Sequence, residues 1–545
     1  MLYGRHHGVT GLQPVGNDWF RVDEACRLDY AQILEGECGL TLYTSEAGTV
    51  ITDLKVHLSH LPLLPGFEYT AVPLGSEFIS KHHPQWWVDE LRDYQRADAI
   101  WHRQRVGSIN ASGLGVGKTR VGLAAADPPL MIVCPTTAYG VWTDELDYIG
   151  WDWECLYGET VDFDLLENRK PQAWIISYHL VPFWGPFFNH SGSGGSLACK
   201  IADEGHVLHR GRTGWTKGWR AVEAAREIML TATPIRNYRA SLFSLLDSIC
   251  SGAFGWRGKF RVDYCGAERG EWGLVDAPAA LIDEDVNRKL ASRLSQVVVQ
   301  RTRKDAGQVL PPIRRKMKRV KLAKDVLFDA LKNLLITYDA DVSLAWNTAS
   351  RQFVGKMKAE ARKDYIADLI IKWRRGVVWV WHKSVTKILR KAFEAAGIEV
   401  TVIDGSTKQS LRDEISHEWK TGDVDPDVPQ ALIASIGAAS EAVSFTSCGL
   451  SIFVEMDYLP SKMQQAEARV HRFAQKNSKC LSIYFVLKDT IDERIGEILL
   501  AKAQENDLLT SNTMIDQVKA MIGFEEEPVK TFLQRVYTRK EKKDE

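Results

Sequence analysis

The feature that most constrains how this chain can fold is a glycine-rich stretch at residues 112–119, here called the phosphate loop, which reads Ser-Gly-Leu-Gly-Val-Gly-Lys-Thr. Its glycines, which let the backbone fold back and direct N–H groups at phosphate oxygens, are Gly113, Gly115 and Gly117. Lys118 would reach the β- and γ-phosphates of a nucleotide, and Thr119 would hold Mg²⁺. A helix opening at Lys118 would add the positive end of its dipole. Ser112 replaces the usual first glycine. The alternative is a flexible loop ahead of an ordinary helix.

Composition limits the class of protein. A chain of 545 residues is too long for a single hydrophobic core, so several domains are expected. The net charge of −1 gives no global attraction to nucleic acid, so any such binding must use local basic surface. The nine cysteines form no C-x-x-C pair, which argues against a zinc module or a disulfide scaffold and is typical of a reducing compartment. Without a signal peptide or an apolar stretch long enough for a bilayer, we expect a cytoplasmic protein with no membrane partner.

Two acids, Asp203 and Glu204, follow a strand-like run downstream of the phosphate loop. Asp203 would bind Mg²⁺ directly or through water, and Glu204 would polarise the water that attacks a γ-phosphate. Upstream, the amide of Gln95 can pair with a donor and an acceptor on the edge of adenine. Residues 230–234 carry two hydroxyls at a strand tip, which can link the nucleotide site to a second ligand. Taken singly, these residues are more often solvated turns or surface groups, and their order around the phosphate loop favours the functional interpretation.

A second α/β block begins near residue 377. Its apolar runs alternate with helical patterns and predict a second parallel sheet with helices on both faces. The runs are residues 377–381, 398–403, 431–436 and 450–455. At its end, Arg469 and Arg472 are three residues apart, so a helix would place both on one face. Two guanidinium groups there can neutralise charge that builds on a transferring γ-phosphate. The alternative is a basic amphipathic helix.

The remaining segments carry less information. Two basic clusters are either solvated faces or sets of phosphate contacts. They comprise Arg314, Arg315, Lys316, Lys318, Arg319, Lys321 and Lys324, and then Lys356, Lys358, Arg362 and Lys363. Residues 1–80 are expected to form a small accessory domain with a hairpin at 40–51, and residues 503–545 a C-terminal helical tail.

Taken in order, these motifs resemble those of superfamily-two helicase motors and, within them, the SWI/SNF-type ATPases. The resemblance covers roughly residues 86–500, and its motifs are residues 91–95, 112–119, 134–136, 203–206, 230–234, 404–407 and 465–475. Residues 260–265, 435–445 and 465–472 are also similar to the annealing-helicase (fork-remodelling) branch. Two positions depart from the pattern: Gly437 stands where that branch usually has a hydroxyl, and Ala474 replaces a glycine of the last motif.

The resemblance implies an α/β fold of two RecA-like lobes with parallel sheets, at residues 81–316 and 317–502, with ATP and Mg²⁺ in the cleft between them. Implied catalytic residues are Lys118, Glu204, Arg469 and Arg472. Implied nucleotide-binding residues are Gln95, Gly113, Gly115, Gly117, Lys118, Thr119, Asp203 and Gln475, with Thr119 and Asp203 on the metal.

The activity that this resemblance implies is a DNA-dependent ATPase. It would move along double-stranded or branched DNA and would remodel DNA structures or displace bound protein. Two alternatives stay open. One is a strand-separating DNA or RNA helicase, which shares the same motifs, and the other is a non-enzymatic nucleic-acid clamp that binds ATP as a switch. The sequence predicts no particular protein partner.

Overall fold

The computed structural model describes residues 12–16, 19–22, 55–57, 79 and 81–499, with gaps at 189–196, 236–237, 271–272, 278–281, 304, 308–309, 322–343, 423–426, 440–442, 473, 488–489, 491, 494 and 497–498. The chain divides into two compact units, Met1–Ala306 and Gly307–Glu545. The predicted lobe boundary after residue 316 falls inside a strand, Ile313–Val320, that lies wholly in the second unit. The hairpin predicted at 40–51 and the tail predicted at 503–545 lie outside the described residues.

A small antiparallel sheet lies in the N-terminal region, where the sequence predicts an accessory domain. Its strands are β1 (Leu12–Gly16), β2 (Trp19–Val22) and β3 (Lys55–His57), in the order β1-β2-β3. No helix in the described part of the chain is both long enough and apolar enough to cross a membrane.

The first unit contains a parallel sheet that is seven strands wide over the described residues. Six of its strands are β4 (Gly107–Asn110), β5 (Leu130–Cys134), β6 (Trp153–Cys155), β7 (Ala173–Ser177), β8 (Cys199–Asp203) and β9 (Glu227–Leu230). A separate two-stranded hairpin follows, formed by β10 (Glu268–Gly270) and β11 (Gly273–Val275). The seventh strand of the parallel sheet is β12 (Val298–Val299). The order is β12-β4-β9-β8-β5-β7-β6 and every neighbouring pair is parallel. Because parallel strands end at the same edge, the loops that follow β4, β5, β8 and β9 meet there.

The α-helices of the first unit follow the strands in alternation. They are α1 (Gln85–Glu90), α2 (Asp93–Arg103), α3 (Lys118–Ala125), α4 (Tyr139–Ile149), α5 (Phe163–Asn168), α6 (Val181–Trp184), α7 (Gly214–Ala221), α8 (Leu242–Ile249), α9 (Arg257–Cys265) and α10 (Glu284–Leu294). Both β5 and β7 are buried at every position, as a parallel sheet covered on two faces requires. Trp87 of α1 and Trp142 of α4 are fully buried in the same core. This packing fixes the strand ends that carry the polar site residues.

The second unit contains another parallel sheet, of six strands over the described residues. Its strands are β13 (Ile313–Val320), β14 (Arg375–Val380), β15 (Glu399–Ile403), β16 (Gln430–Ser435), β17 (Leu450–Phe453) and β18 (Cys480–Leu487), in the order β13-β18-β17-β14-β16-β15. Its helices are α11 (Leu344–Trp373), α12 (Lys383–Ala395), α13 (Gln409–Thr421), α14 (Ile436–Ala439) and α15 (Pro460–Val470). Every neighbouring strand pair is parallel. The predicted fold class, two α/β units with parallel sheets, is confirmed.

Aromatic side chains stack across the centre of the second sheet. The ring centroids of Trp379 on β14 and Phe453 on β17 are 5.9 Å apart, and those of Phe453 and Tyr484 on β18 are 4.6 Å apart. The indole N–H of Trp379 donates to Ser451 Oγ at 2.9 Å, so its polar atom is satisfied inside the core. These contacts hold three neighbouring strands in register.

Two members of the basic clusters serve the fold instead of forming a solvated face or a phosphate contact. Lys358 of α11 is buried, and its ammonium lies 2.7 Å from Asp492 Oδ2 and donates to the carbonyl of Phe485 at 3.2 Å. Arg315 of β13 binds the buried carboxylate of Glu467 with its Nε and Nη2 atoms. Both interpretations that the sequence allowed were therefore wrong for these residues, because acids distant in the sequence are folded against them.

Candidate functional site

The phosphate loop lies between β4 and α3 and adopts the conformation that its glycines predict. Gly115 and Gly117 have φ values of 78° and 79°, in the left-handed region that favours glycine. An added Cβ on Gly117 would lie only 2.4 Å from Gln95 Nε2, so a larger residue there would displace the glutamine. An added Cβ on Gly115 would meet no atom within 4 Å, which leaves open space above the loop. The α-helix begins at Lys118, directly after the second of these glycines.

Lys118 is folded back over the phosphate loop. Its ammonium donates to the carbonyl oxygens of Ser112 and Gly113, both at 3.0 Å. Thr119 is the next residue of α3 and is half-buried in the first helical turn. The structure therefore places Lys118 and Thr119 together at the loop, with the three predicted glycines around them.

Ser112, at the position of the missing glycine, is part of a network that holds the loop. Its backbone N–H donates to Asn110 Oδ1 at 3.1 Å, and its Oγ accepts from the backbone N–H of Arg301 at 3.0 Å. The carbonyl of Arg301 accepts from Gly113 N–H at 2.9 Å, and Arg303 Nε donates to the carbonyl of Leu114 at 3.1 Å. The segment that follows β12 therefore braces the loop through backbone and side-chain bonds.

The guanidinium of Arg301 is held by the buried carboxylate of Asp98 on α2, at 2.7 Å. Sequence reasoning missed Arg301, Arg303 and Asp98. The available signal was weak: two arginines after a short valine-rich strand, far along the chain from the loop that they contact.

Gln95 is buried and contacts the loop, with both ends of its amide bound to protein. Its Oε1 accepts from the backbone N–H of Arg92 at 3.0 Å, and its Nε2 lies 3.5 Å from the carbonyl of Gly117. The neighbouring Tyr94 hydroxyl donates to the carbonyl of Val116 at 2.7 Å. The start of α2 thus packs on the phosphate loop, and recognition of adenine by Gln95 stays a prediction.

Asp203 ends β8 at the same edge of the sheet. Its Oδ2 accepts from the indole N–H of Trp142 at 3.0 Å, its Oδ1 accepts from Glu204 N–H at 3.0 Å, and its carbonyl accepts from the Tyr178 hydroxyl at 2.6 Å. Burial, together with the charge of Glu204, raises the pKa of Asp203 to about 6. The hydrogen bond from Trp142 and the charge of Lys118 act in the opposite direction. A carboxyl group in this state would be stabilised as the anion by a bound cation.

Glu204 follows in a left-handed backbone conformation, with φ of 52° and ψ of 42°. This conformation costs free energy in a residue other than glycine, and residues strained in this way cluster at functional sites. Glu204 Oε2 lies 3.1 Å from His206 Nδ1, which in turn lies 3.2 Å from the hydroxyl of Thr231. That hydroxyl also accepts from the backbone N–H of Thr233 at 3.1 Å. The acids are therefore linked through His206 to segment 230–234.

In the second unit, the prediction that Arg469 and Arg472 share one helix face is wrong. Helix α15 ends at Val470, and His471 has non-helical dihedrals of −94° and 86°. The imidazole of His471 makes a 2.8 Å hydrogen bond to the carbonyl of Pro311, and the carbonyl of Arg469 accepts from Phe445 N–H instead of continuing the helix. Contacts from elsewhere in the unit therefore stop the helix between the two arginines.

The two arginines have different surroundings. Arg469 donates to the carbonyl of Val443 at 3.2 Å. Arg472 is half-buried, and this burial lowers the pKa of its guanidinium. None of the described residues forms a hydrogen bond or an ion pair with its side chain. The predicted nucleotide-binding Gln475 caps the end of α15 in this structure, because its Nε2 donates to the carbonyls of Val470 and Cys448 at 2.5 and 2.9 Å. Roles for these three residues at a nucleotide stay predictions.

Ala474 adopts the left-handed conformation, with φ of 67°, at the position where the sequence motif departs from glycine. An L-residue with a Cβ is disfavoured there by about 1–2 kcal/mol. Ala474→Gly should therefore stabilise the second unit by about 0.5–1 kcal/mol after the extra freedom of glycine in the unfolded chain is subtracted. The midpoint of urea unfolding measures the change. Ala392→Gly, inside helix α12, is the matched control and should instead destabilise by about 1 kcal/mol. An unchanged or lower midpoint for Ala474→Gly would contradict the prediction.

Comparison with known proteins decides the family. The model of the SNF2-related domain matches residues 44–327, which is more than half of the chain, and the helicase conserved C-terminal domain matches residues 358–474. The chain belongs to the SNF2-related family. The predicted resemblance to SWI/SNF-type ATPases is thereby confirmed. The first match covers the parallel sheet of the first unit and continues through β13 of the second, and the second match lies wholly within the second unit.

Relatives of this SNF2 chain include proteins of the annealing-helicase branch that the sequence predicts. One is the "SWI/SNF-related matrix-associated actin-dependent regulator of chromatin subfamily A-like protein 1 homolog" of Caenorhabditis elegans, which is 25% identical over 83% of this chain and 66% of its own length. Another is the "DNA annealing helicase and endonuclease ZRANB3" of Mus musculus, 24% identical over 76% of this chain and 40% of its own length. The SNF2 chain thus spans between 40% and 66% of the length of these curated relatives.

Among solved structures, the Sulfolobus solfataricus SWI2/SNF2 ATPase core in complex with double-stranded DNA aligns with 80% of this SNF2 chain and 98% of its own. Its sequence identity is 18% and its TM-score is 0.38, a value at which the comparison carries no argument about the arrangement of the units.

Proposed function

We propose that this protein is a DNA-dependent ATPase that moves along double-stranded DNA and remodels DNA structures or displaces bound protein. The observation that carries the proposal is the convergence, at one edge of the first sheet, of the phosphate loop with Lys118 and of the acid pair Asp203 and Glu204. Membership of the SNF2-related family supports the same activity.

The residues at this edge fit ATP and Mg²⁺. The loop leaves open space above Gly115, and its glycines hold the backbone in the turned conformation that phosphate binding uses. Thr119 and Asp203 would hold the metal, and a bound cation would favour the anionic form of Asp203, whose pKa is raised to about 6 by burial and by the charge of Glu204. When bound, Mg²⁺ would neutralise charge on the phosphates.

Hydrolysis would depend on protein groups of both units. Lys118 would contact the β- and γ-phosphates, and Glu204, oriented by His206, would accept a proton from the attacking water. Arg469 and Arg472 would stabilise the negative charge of the transition state from the second unit, and Gln475 would line the nucleotide. The guanidinium of Arg472, which has no partner among the residues that the structure describes, supports this role better than that of Arg469, which already binds a backbone carbonyl.

Duplex or branched DNA is the proposed partner, and the protein is proposed to act in the cytoplasm. The name of the Mus musculus relative includes DNA annealing, which supports branched DNA as a substrate here. The net charge of −1 means that the contacts must come from local basic groups.

The experiment that tests the proposal is the rate of ATP hydrolysis with single-stranded, duplex and forked DNA and with RNA. We expect duplex or forked DNA to stimulate hydrolysis at least tenfold more than RNA of the same length, because the proposed motor hydrolyses ATP efficiently only when it is bound to DNA. Glu204→Gln is the background control for contaminating ATPases. A rate that no added duplex changes would overturn the proposal. A displaced strand from tailed duplexes would instead support the strand-separating alternative, which the helicase C-terminal domain keeps open.

A further inference from the structure

A basic pocket lies in the first unit, away from the phosphate loop. Its volume is about 210 Å³, and it is formed by the turn after Glu204, helices α7 and α8, and the start of α9. Side chains that line it include His209, Arg212, Arg220, Phe243, Asp247 and Arg257. This volume is below the roughly 300–1,000 Å³ of typical small-molecule sites, so the pocket suits a small charged group better than a whole nucleotide.

The charges in the pocket are unbalanced. Its acid, Asp247, lies 2.8 Å from the guanidinium of Arg220, which also donates to Ser248 Oγ at 2.9 Å. Arg212 and Arg257 are exposed, and neither has an ion-pair partner among the described residues. Two positive charges therefore remain uncompensated beside the apolar ring of Phe243. A planar guanidinium presents paired N–H groups that match the oxygens of a phosphate.

We infer that this pocket binds a backbone phosphate of the nucleic acid, with Arg212 and Arg257 as its ligands. The inference rests on the proposed function and names residues of the first unit that contact the DNA. It supplies the local basic surface that a chain with a net charge of −1 needs for such binding.

The pocket is also connected to the acid pair. The ring of His209 makes a 3.1 Å hydrogen bond to the carbonyl of His206, whose own ring lies 3.1 Å from Glu204 Oε2. The carbonyl of Leu208, in the same turn, accepts from Ser244 Oγ of α8 at 2.7 Å. A phosphate bound by Arg212, three residues after His209, would therefore act on the turn that contains His206, the residue in contact with Glu204.

The test is the salt dependence of duplex binding, measured by fluorescence anisotropy of a labelled duplex between 50 and 200 mM salt. Each phosphate contact contributes about 0.9 to the slope of log K against log salt. The double variant Arg212→Gln/Arg257→Gln removes this one phosphate contact and should therefore lower the slope by about 0.9 and weaken binding about 8-fold at 0.1 M salt. Arg212→Lys/Arg257→Lys keeps both charges and should retain most of the slope.

Arg288→Gln is the matched control, because Arg288 is an exposed arginine of the same unit on α10 and lies outside the pocket. It should leave the slope unchanged, and unfolding midpoints will show that all variants are folded. If the wild-type protein binds duplex and the double glutamine variant has the same salt slope as Arg288→Gln, the inference is overturned. Absence of duplex binding by the wild-type protein would instead count against the proposed function.

A third measurement separates nucleic acid from free phosphate as the source of the ligand. Inorganic phosphate is titrated calorimetrically into the wild-type protein and the double glutamine variant. Phosphate binding that is lost in the variant, with an unchanged slope for duplex binding, would assign the pocket to a free anion and overturn the nucleic-acid assignment.

Discussion

Glu204→Gln should lower the rate of ATP hydrolysis by about 10²- to 10⁴-fold, the range that a general base contributes. The two side chains have the same shape, so the left-handed backbone at this position and the contact with His206 can both be kept. The variant loses the negative charge that polarises the attacking water. Because Lys118 and the loop glycines are untouched, binding of ATP should stay within about twofold of wild type.

Steady-state hydrolysis and equilibrium binding of a fluorescent ATP analogue measure the two quantities. Glu159→Gln, an exposed acid of the same unit, is the matched control and should change neither. If Glu204→Gln still turns over ATP at the rate of Glu159→Gln, then Glu204 is not the base, and the ATP-switch alternative regains support. A variant that has lost both hydrolysis and binding would also contradict the assignment.

Arg472→Gln should lower the maximal rate of DNA-stimulated hydrolysis by about 10³- to 10⁵-fold, the range that arginine fingers contribute. The guanidinium is half-buried and unpaired among the described residues, so its removal should disturb little within the second unit. Binding of ATP to the first unit should be nearly unchanged, because the charge is needed only as the transition state forms.

Arg390→Gln, an exposed arginine on α12, is the matched control for Arg472 and should keep the wild-type rate. Arg469→Gln tests the second arginine, but it also removes the hydrogen bond to Val443 and so requires a check of the unfolding midpoint. An Arg472→Gln enzyme as fast as Arg390→Gln would show that hydrolysis does not use this group, and the hypothesis of a site completed by the second unit would fail.

The sequence alone predicted the structure correctly where a short local pattern of residues determines the backbone conformation. The spacing of glycines in the phosphate loop specifies its left-handed turns, and the structure has them at Gly115 and Gly117. Continuous apolar runs specify buried parallel strands, and β5, β7 and β14 are buried throughout. The position of the acid pair was predictable for the same reason, since Asp203 ends a strand of that sheet and Glu204 follows it.

The sequence alone did not predict the structure where a contact with a residue distant in the sequence determines where a helix ends or which side chain is buried. Helix α15 ends before Arg472 because His471 binds Pro311, and periodicity within the helix contains no trace of that contact. Lys358 belongs to a basic run, yet its side chain is buried in an ion pair with Asp492. Ser112 replaces the usual first glycine of the loop, and its hydroxyl accepts a hydrogen bond from the distant backbone N–H of Arg301. Each of these features depends on tertiary contacts that a local sequence pattern does not contain.

The bracing of the phosphate loop has a mechanical consequence. Arg301 and Arg303, which bind the loop, lie close to Ala306, the last residue of the first unit, and the backbone then continues into Gly307 of the second. Tension applied along this connection would act on the hydrogen bonds at Ser112 and Leu114, because their arginine partners are the nearest anchoring residues on that side. A load on the covalent connection between the two units would therefore also act on the loop that we propose to hold the nucleotide phosphates.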